Sequence, residues 1–521
     1  MAAPVRHPYA VQHQDVRVAG TDPEFKADAP AEPRAPSRLR LPEADSLWWL
    51  AAVAAAFTCA QLLFVRLHGL SWDEVVYVSQ VSAHVPAAPF DPARARGIPL
   101  LVAPVALLTS SITVLRVYLA IASGAALFCS LLAWRRLRPG WMLALAGLFF
   151  AGLWVVQYYG PQAMPDEWLA FCALAATGLF LRSAGETGHG RAANVRLAGL
   201  AAVVAAAALI RPGDAVFLVG VLVVAALAVP SWRRWPVIVA VIAGAIAGAA
   251  EWIAEAYVRF GGPLERLHLA SAEQGGFGLR LGVWAELRAV NGPTLCRPCT
   301  IGWRYPVLSL WWLALPVLIV LGILAARQAG RGRLGSAVLA TACALGLASQ
   351  YLFGIWYAAP RFMIPAYALA AIPITDLIAW IIAKTRPAER TAMKVLIGVV
   401  IAGQLITQHA VLERQVADTV ALHDDYARIA ADLHKLGVRG RCLINGSQRI
   451  PVAFYARCAS APEPLKIEPL QATARNPGGA WKFAILEWQS SKPPAYAKNW
   501  PHHFLPGAGY LKLTAYLPPH G

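Results

Sequence analysis

Ser71-Trp72-Asp73-Glu74-Val75-Val76-Tyr77 sets two adjacent carboxylates a few residues beyond an apolar run over residues 46–65. A second pair stands in Met164-Pro165-Asp166-Glu167-Trp168, at the mouth of another apolar run. Only 14 acidic residues lie between positions 46 and 411, and these are the two adjacent pairs among them. Charge near a bilayer is costly and is usually retained for function. One such pair alone reads more readily as a solvated cap on the positive end of a helix. Two pairs on one side of a membrane read as carboxylates presented to a substrate at the lipid–water boundary.

The rest of the chain supports a membrane setting. With 58% hydrophobic and 14% charged residues and a mean hydropathy of +0.50, a soluble globular protein is excluded. Apolar runs near the roughly 20 residues a bilayer needs recur at 46–65, 112–133, 141–157, 167–182, 195–210, 213–229, 237–257, 306–326, 335–353, 362–382 and 393–411. The expectation is an all-α polytopic protein of about eleven spans, closed by a small α/β domain. Alternate connections carry the basic residues, among them Arg135, Arg136 and Arg138, then Arg233 and Arg234, then Arg327, Arg331 and Arg333. Basic loops face the cytoplasm, which puts the N-terminus inside and both acidic pairs, with the C-terminal domain, outside. The net charge of +17 then reads as topology signal and as contact with anionic headgroups of membrane lipids. Nucleic acid is not an expected partner, since no basic segment interleaved with aromatics stands clear of the spans.

Three parts follow: a disordered cytoplasmic tail over 1–45, rich in Pro, Ala and Arg, a transmembrane body over 46–411, and an extracytoplasmic domain over 412–521. The tail has no early apolar segment of the signal-peptide type, so the first span reads as an uncleaved anchor. In the last part, residues 415–436 have helical periodicity with Gly437 as a stop, and strands are expected over 441–445 and 482–487. Cys442 and Cys458 are expected to pair, outside the membrane where disulfides persist. Cys296-Arg297-Pro298-Cys299 reads as a disulfide clip, half a metal site or a redox pair. Two long outer loops, 66–111 and 258–305, are expected to bind or gate.

The order of these features resembles the GT-C superfamily of integral-membrane glycosyltransferases, the group of the protein O-mannosyltransferases and the aminoarabinose transferases. The residues that carry the resemblance are Asp73-Glu74 with Tyr77, Arg96-Gly97-Ile98-Pro99-Leu100, Arg116, Asp166-Glu167, Ile210-Arg211-Pro212 and Pro360-Arg361-Phe362-Met363-Ile364-Pro365. Arg96 stands where relatives often have lysine. The resemblance implies transfer of a sugar, mannosyl or arabinosyl or similar, from a polyprenyl-phosphate donor to an envelope glycan, lipid or protein acceptor. It also implies a place at the outer face of a bacterial cytoplasmic membrane.

The residue types suit that reaction. An acceptor hydroxyl needs a carboxylate as general base, and Asp73 is the expected base, with Glu74 orienting it or contacting the acceptor. Asp166 and Glu167 complete the catalytic acids, either binding sugar or acceptor or sharing a divalent cation with Asp73; metal dependence stays open and no cofactor is required. The leaving phosphate needs cations rather than an acid, and Arg96, Arg211 and Arg361 are the expected phosphate binders. Arg211 reads alternatively as the structural partner of Asp214. Tyr77, Trp72 and His268 are expected along the substrate cavity, with Trp72 equally readable as a membrane-belt anchor. A transporter or flippase for a lipid-linked sugar would use the same arginines but would carry its charges at mid-membrane. An envelope-assembly scaffold would be indifferent to the loss of Asp73.

Overall fold

A computed structural model describes residues 43–64, 69–185, 190–303, 305–462, 481–507 and 509–519, and the side chains of all of these but 43–46 and 64. The tail expected over 1–45 lies, up to residue 42, outside the described residues. The body is helical, and the chain is a multi-pass membrane protein by the length and composition of its helices. Among the described residues, eight helical segments, beginning with Ile112–Leu132 and ending with Pro387–Lys435, are long and apolar enough to span. Leu47–Leu63, Gly97–Ala106, Gly140–Ala151 and Pro212–Ala228 are shorter apolar helices. Three of the eleven expected spans therefore coincide with short helices, and the count of eleven is not confirmed. One of them, expected over 141–157, is broken at Gly152 into the helices Gly140–Ala151 and Trp154–Tyr159.

The span Pro165–Gly185 is the centre of the body, with 78% of its apolar window buried, followed by Pro360–Lys384 with 67%. Its proline stands at the first turn, where a missing N–H costs nothing, and Asp166 and Glu167 meet the positive end of the helix. Ala170, Ala173, Ala176, Thr177 and Gly178 give it a slim surface, so the helices Ile112–Leu132, Arg191–Ile210 and Ile364–Lys384 pack closely around it. Trp134 anchors that contact by donating its indole N–H to the Leu174 carbonyl at 2.9 Å. Helices Arg191–Ile210 and Trp235–Arg259 approach more closely still. A methyl group at Gly248 would sit 2.0 Å from the Ala205 carbonyl oxygen, and one at Gly244 would sit 2.4 Å from that of Ala201. Small residues four apart are how apolar helices pack in lipid, where the hydrophobic effect gives no drive.

The last helix of the body, Arg390–Lys435, runs without a break through the boundary expected at 411/412. It reaches β1 (Cys442–Gly446), the helix Arg449–Ala456, β2 (Ala459–Ser460), β3 (Lys482–Trp488), β4 (His502–Pro506) and β5 (Lys512–Tyr516). The sheet order is β2-β1-β3-β5-β4, with β1 parallel to β2 and β3 and the remaining pairs antiparallel. β1 and β3 fall on the two strands expected from the sequence. The expected pair Cys442–Cys458 forms a disulfide, and of the three readings left open for Cys296 and Cys299 the structure has the disulfide clip.

Candidate active site

Asp73 and Asp166 reach the same cavity because Glu74 draws their two loops together. Glu74 takes the N–H and hydroxyl of Ser71 at 3.0 and 3.1 Å, a capping box that starts the helix Trp72–Ser79. Its other oxygen accepts the Ala163 N–H at 2.9 Å, three residues before Asp166. Arg116 closes the arrangement with an ion pair to both Glu74 oxygens, at 2.8 Å on the one that takes Ser71, and an N–H donated to the Pro161 carbonyl at 2.8 Å. Both side chains are completely buried. Burial pushes the Glu74 carboxyl up, and Arg116 with the backbone N–H groups outweighs that and holds it low. Glu74, expected to act beside Asp73, is thus a structural carboxylate: its helix turns it about 100° from Asp73, into the protein.

The cavity has a volume of about 690 Å³, and among the described residues it brings together Asp73, Tyr77, Asp166, Arg211 and Arg361 of the expected site. Their charges alternate in an unbroken chain. Asp91 accepts from Arg94 at 2.5 Å, and Arg94 donates to Asp73 at 2.7 Å. Arg361 donates to the other Asp73 oxygen at 2.9 Å and stands 3.5 Å from Asp166. Arg211 pairs with Asp166 and, at 2.5 Å, with Asp214, whose other oxygen accepts the Tyr351 hydroxyl at 2.6 Å. Arg211 therefore has the structural partner read from the sequence and also lines the cavity. The Arg211 guanidinium lies over the Tyr351 and Phe362 rings, 5.6 and 5.0 Å from their centres.

Exposure separates the two aspartates. The Asp73 side chain is 27% accessible and that of Asp166 only 1%, so Asp73 is the carboxylate that the cavity leaves open. Burial raises the Asp73 carboxyl, but Arg94 and Arg361 outweigh it and hold it at about 2. Arg361 already stands between Asp73 and Asp166, where a shared divalent cation would have to sit. Among the described residues no group of three His, Cys, Asp or Glu side chains could hold a metal. In this arrangement guanidinium groups neutralise both aspartates.

Four further expected residues lie away from the cavity lining. Glu167 is fully buried, and neither of its carboxylate oxygens has a hydrogen-bond partner among the described residues. Arg96 points the other way from Arg94, donating to Glu255 at 2.6 Å and Gln80 at 2.9 Å while lying over the Phe90 ring. Trp72 is covered by Arg449, 5.6 Å from its ring. His268 is exposed on the helix Pro263–Glu273, which gives Leu267, Ala270, Ser271 and Glu273 to the cavity lining but not His268. Each corrects an expectation built on sequence proximity.

Arg94 and Arg297 are the cations that sequence reasoning passed over. Arg94 stands two residues from the one selected, in the same Arg94-Ala95-Arg96 segment. Arg297 sits inside the disulfide Cys296–Cys299, lines the cavity, and donates to the Glu273 carbonyl at 2.7 Å. Cys296 also pairs through its backbone with Ala358, three residues before Arg361. A Cys-x-x-Cys next to a cavity arginine is the signal that was available.

No protein-family model and no curated protein matches the chain. Solved structures do. ArnT from Cupriavidus metallidurans, both bound to undecaprenyl phosphate and in the apo state, superposes with a TM-score of 0.61 at 13% identity, covering 91% of this chain and 98% of that one. The apo oligosaccharyltransferase of Archaeoglobus fulgidus gives 0.51 at 12% identity, covering 84% and 69%. The chain shares the fold of these two solved membrane proteins.

Proposed function

We propose that the chain transfers a sugar from a polyprenyl-phosphate donor to an acceptor hydroxyl at the outer face of a bacterial cytoplasmic membrane, inverting the anomeric centre. The observation that carries the reading is a water-accessible carboxylate, Asp73, ringed by guanidinium groups in a cavity at one end of apolar helices. The binding of undecaprenyl phosphate by ArnT, a protein of the same fold, supports the donor class. The basic connections at the other end support the orientation.

In this reading the donor phosphate lies against Arg361 and Arg211, whose forked N–H groups match its oxygens. Taking those arginines loosens their hold on Asp73 and Asp166. Asp73 then becomes a stronger base at the moment the donor is in place. The acceptor oxygen attacks the anomeric carbon as its proton passes to Asp73. The bond from that carbon to the phosphate oxygen breaks, and polyprenyl phosphate leaves as an anion held by the arginines. One base and no enzyme nucleophile give inversion, by the logic of inverting glycosidases. Mannosyl and arabinosyl donors are the first to test, against envelope glycan, lipid and protein acceptors.

The test is transfer of radiolabelled sugar from polyprenyl-phosphate mannose or arabinose, in membranes holding equal amounts of wild-type protein or Asp73→Asn. Transfer by the wild type and its loss in the variant are expected. Undiminished transfer by the variant would remove Asp73 as the base.

A further inference from the structure

We infer that the C-terminal domain sets the position of Asp73, through Tyr455 on the helix Arg449–Ala456. The inference rests on the reading of Asp73 as the general base; Tyr455 itself is a positioning residue.

The chain enters the helix Trp72–Ser79 through Gly69, Leu70 and Ser71, and one main-chain group of each of these residues is met by a different side chain. The Gly69 carbonyl accepts from Arg116 of the membrane body. The Leu70 N–H is donated to the Tyr455 hydroxyl at 2.9 Å, across 385 residues of sequence. The Ser71 N–H goes to Glu74. Asp73 follows Leu70 by three residues, on a helix of only eight, so a shift at its start carries directly to the carboxylate.

The fit at Tyr455 is close. A methyl group on Gly69 would lie 2.3 Å from the Tyr455 hydroxyl and 2.8 Å from His423; only glycine leaves room for the domain to dock. A second contact comes from the same helix, where Arg449 covers the Trp72 ring and is tied back into its own domain by an N–H donated to the Ala461 carbonyl at 2.8 Å. Tyr455 in turn stacks on Tyr426 of the long helix, 6.2 Å between ring centres. The disulfide Cys442–Cys458 joins the start of β1 to the chain two residues beyond the Arg449–Ala456 helix, so the C-terminal end of the helix that presents Tyr455 is fastened to the sheet.

The outcome is a scaffold in which the base is held from two sides, by Arg116 from the membrane and by Tyr455 from the domain. Misplacing a reacting group by about 1 Å can cost on the order of a hundredfold in rate. Loss of one of two holds should cost about tenfold.

Tyr455→Phe removes only the hydroxyl, and Tyr426→Phe, which loses a hydroxyl bonded to Gln448 at 2.9 Å, is the control within the same domain. For purified full-length protein, Tyr455→Phe is expected to lower kcat about tenfold with the donor KM unchanged. Amide hydrogen exchange in residues 69–77 should quicken at least about fivefold, as one buried hydrogen bond opens. Tyr426→Phe should match the wild type in both. Gly69→Ala, which drives a methyl against the same hydroxyl, should reproduce the Tyr455→Phe pattern and stands in should that variant not fold. Exchange and kcat in Tyr455→Phe equal to those of Tyr426→Phe would overturn the inference. Should the wild type transfer none of the sugars offered, the failure belongs to the proposed reaction, and exchange at 69–77 alone decides the docking role.

Discussion

The two Asp-Glu pairs share a dipeptide and a position at the start of a helix, and they divide their work in the same way. In each, the aspartate faces the cavity and the glutamate, one residue on, is turned into the protein. The interiors they meet are opposite. Glu74 is met by Arg116, Ser71 and Ala163 and holds two loops together. Glu167 lies in the most buried span and meets no polar partner among the described residues. A motif in the sequence therefore marks a place in the fold, and the electrostatic role of each member is set by residues far from it.

The largest effect should separate the two aspartates. Asp73→Asn is expected to lower transfer about a thousandfold, the scale of a lost general base. Asp166→Asn should cost about tenfold, since that side chain is 1% accessible and acts by holding Arg211 and Arg361. Initial rates at saturating donor decide it. Equal losses would make the two carboxylates a catalytic pair and undo the distinction drawn from exposure.

The next effect lies in stability and concerns the glutamates. Glu74→Gln leaves Arg116 charged and completely buried without its counter-ion, a defect worth about 3 kcal/mol or more. Thermal unfolding of the detergent-solubilised protein should show it as a clear fall in Tm, with transfer lost because the Asp73 and Asp166 loops separate. An unchanged Tm would mean that the loops are held by their packing alone.

How far such differences are legible in the sequence depends on the range of the interaction. Asp73, Asp166, Arg211 and Arg361 can be found because a charge in a nearly apolar stretch stands out on composition alone. The strands β1 and β3 follow from short apolar runs between glycine-rich turns. Arg94 and Arg96 differ by two residues in a loop with no periodicity, and their directions are set by Asp73 and Glu255, which lies 159 residues beyond Arg96. No local signal carries that. Hydropathy also counts the 141–157 run as one span, whereas the backbone turns at Gly152 and Leu153. The continuity of the helix Arg390–Lys435 escapes notice for the converse reason: polarity rises in mid-helix as the chain leaves the apolar region, which looks like a domain boundary.

A smaller effect should appear in acid. Arg94 and Arg361 hold the Asp73 carboxyl at about 2, below its ordinary 3.8. A depressed carboxyl stabilises the fold fully above its unfolded value and loses that contribution as the pH falls from about 4 through about 2. The contribution is at most about 2 kcal/mol, less what solvent screens at a side chain 27% accessible. Arg94→Gln removes one of the two holds, so the Asp73 pKa should rise toward 3.8. The acid limb of kcat/KM, which reports the free enzyme, should then move to higher pH by roughly one unit. A limb that does not move would mean that another group governs the acid side.

The smallest effect completes the contrast between the glutamates. Glu167→Gln keeps the shape of the side chain and removes an ionisable group that has no cation or donor to lose among the described residues. Taking away an unpaired buried acid costs nothing in ion pairing and spares the desolvation of a charge. The change in stability is therefore expected to be within about 1 kcal/mol, of either sign, against the loss of about 3 kcal/mol at Glu74. Transfer should persist within about threefold of wild type, because Asp166 keeps both its arginines. A loss as large as that from Glu74→Gln would show that Glu167 has a partner acquired only with substrate bound, and the second pair would then be catalytic through both of its members.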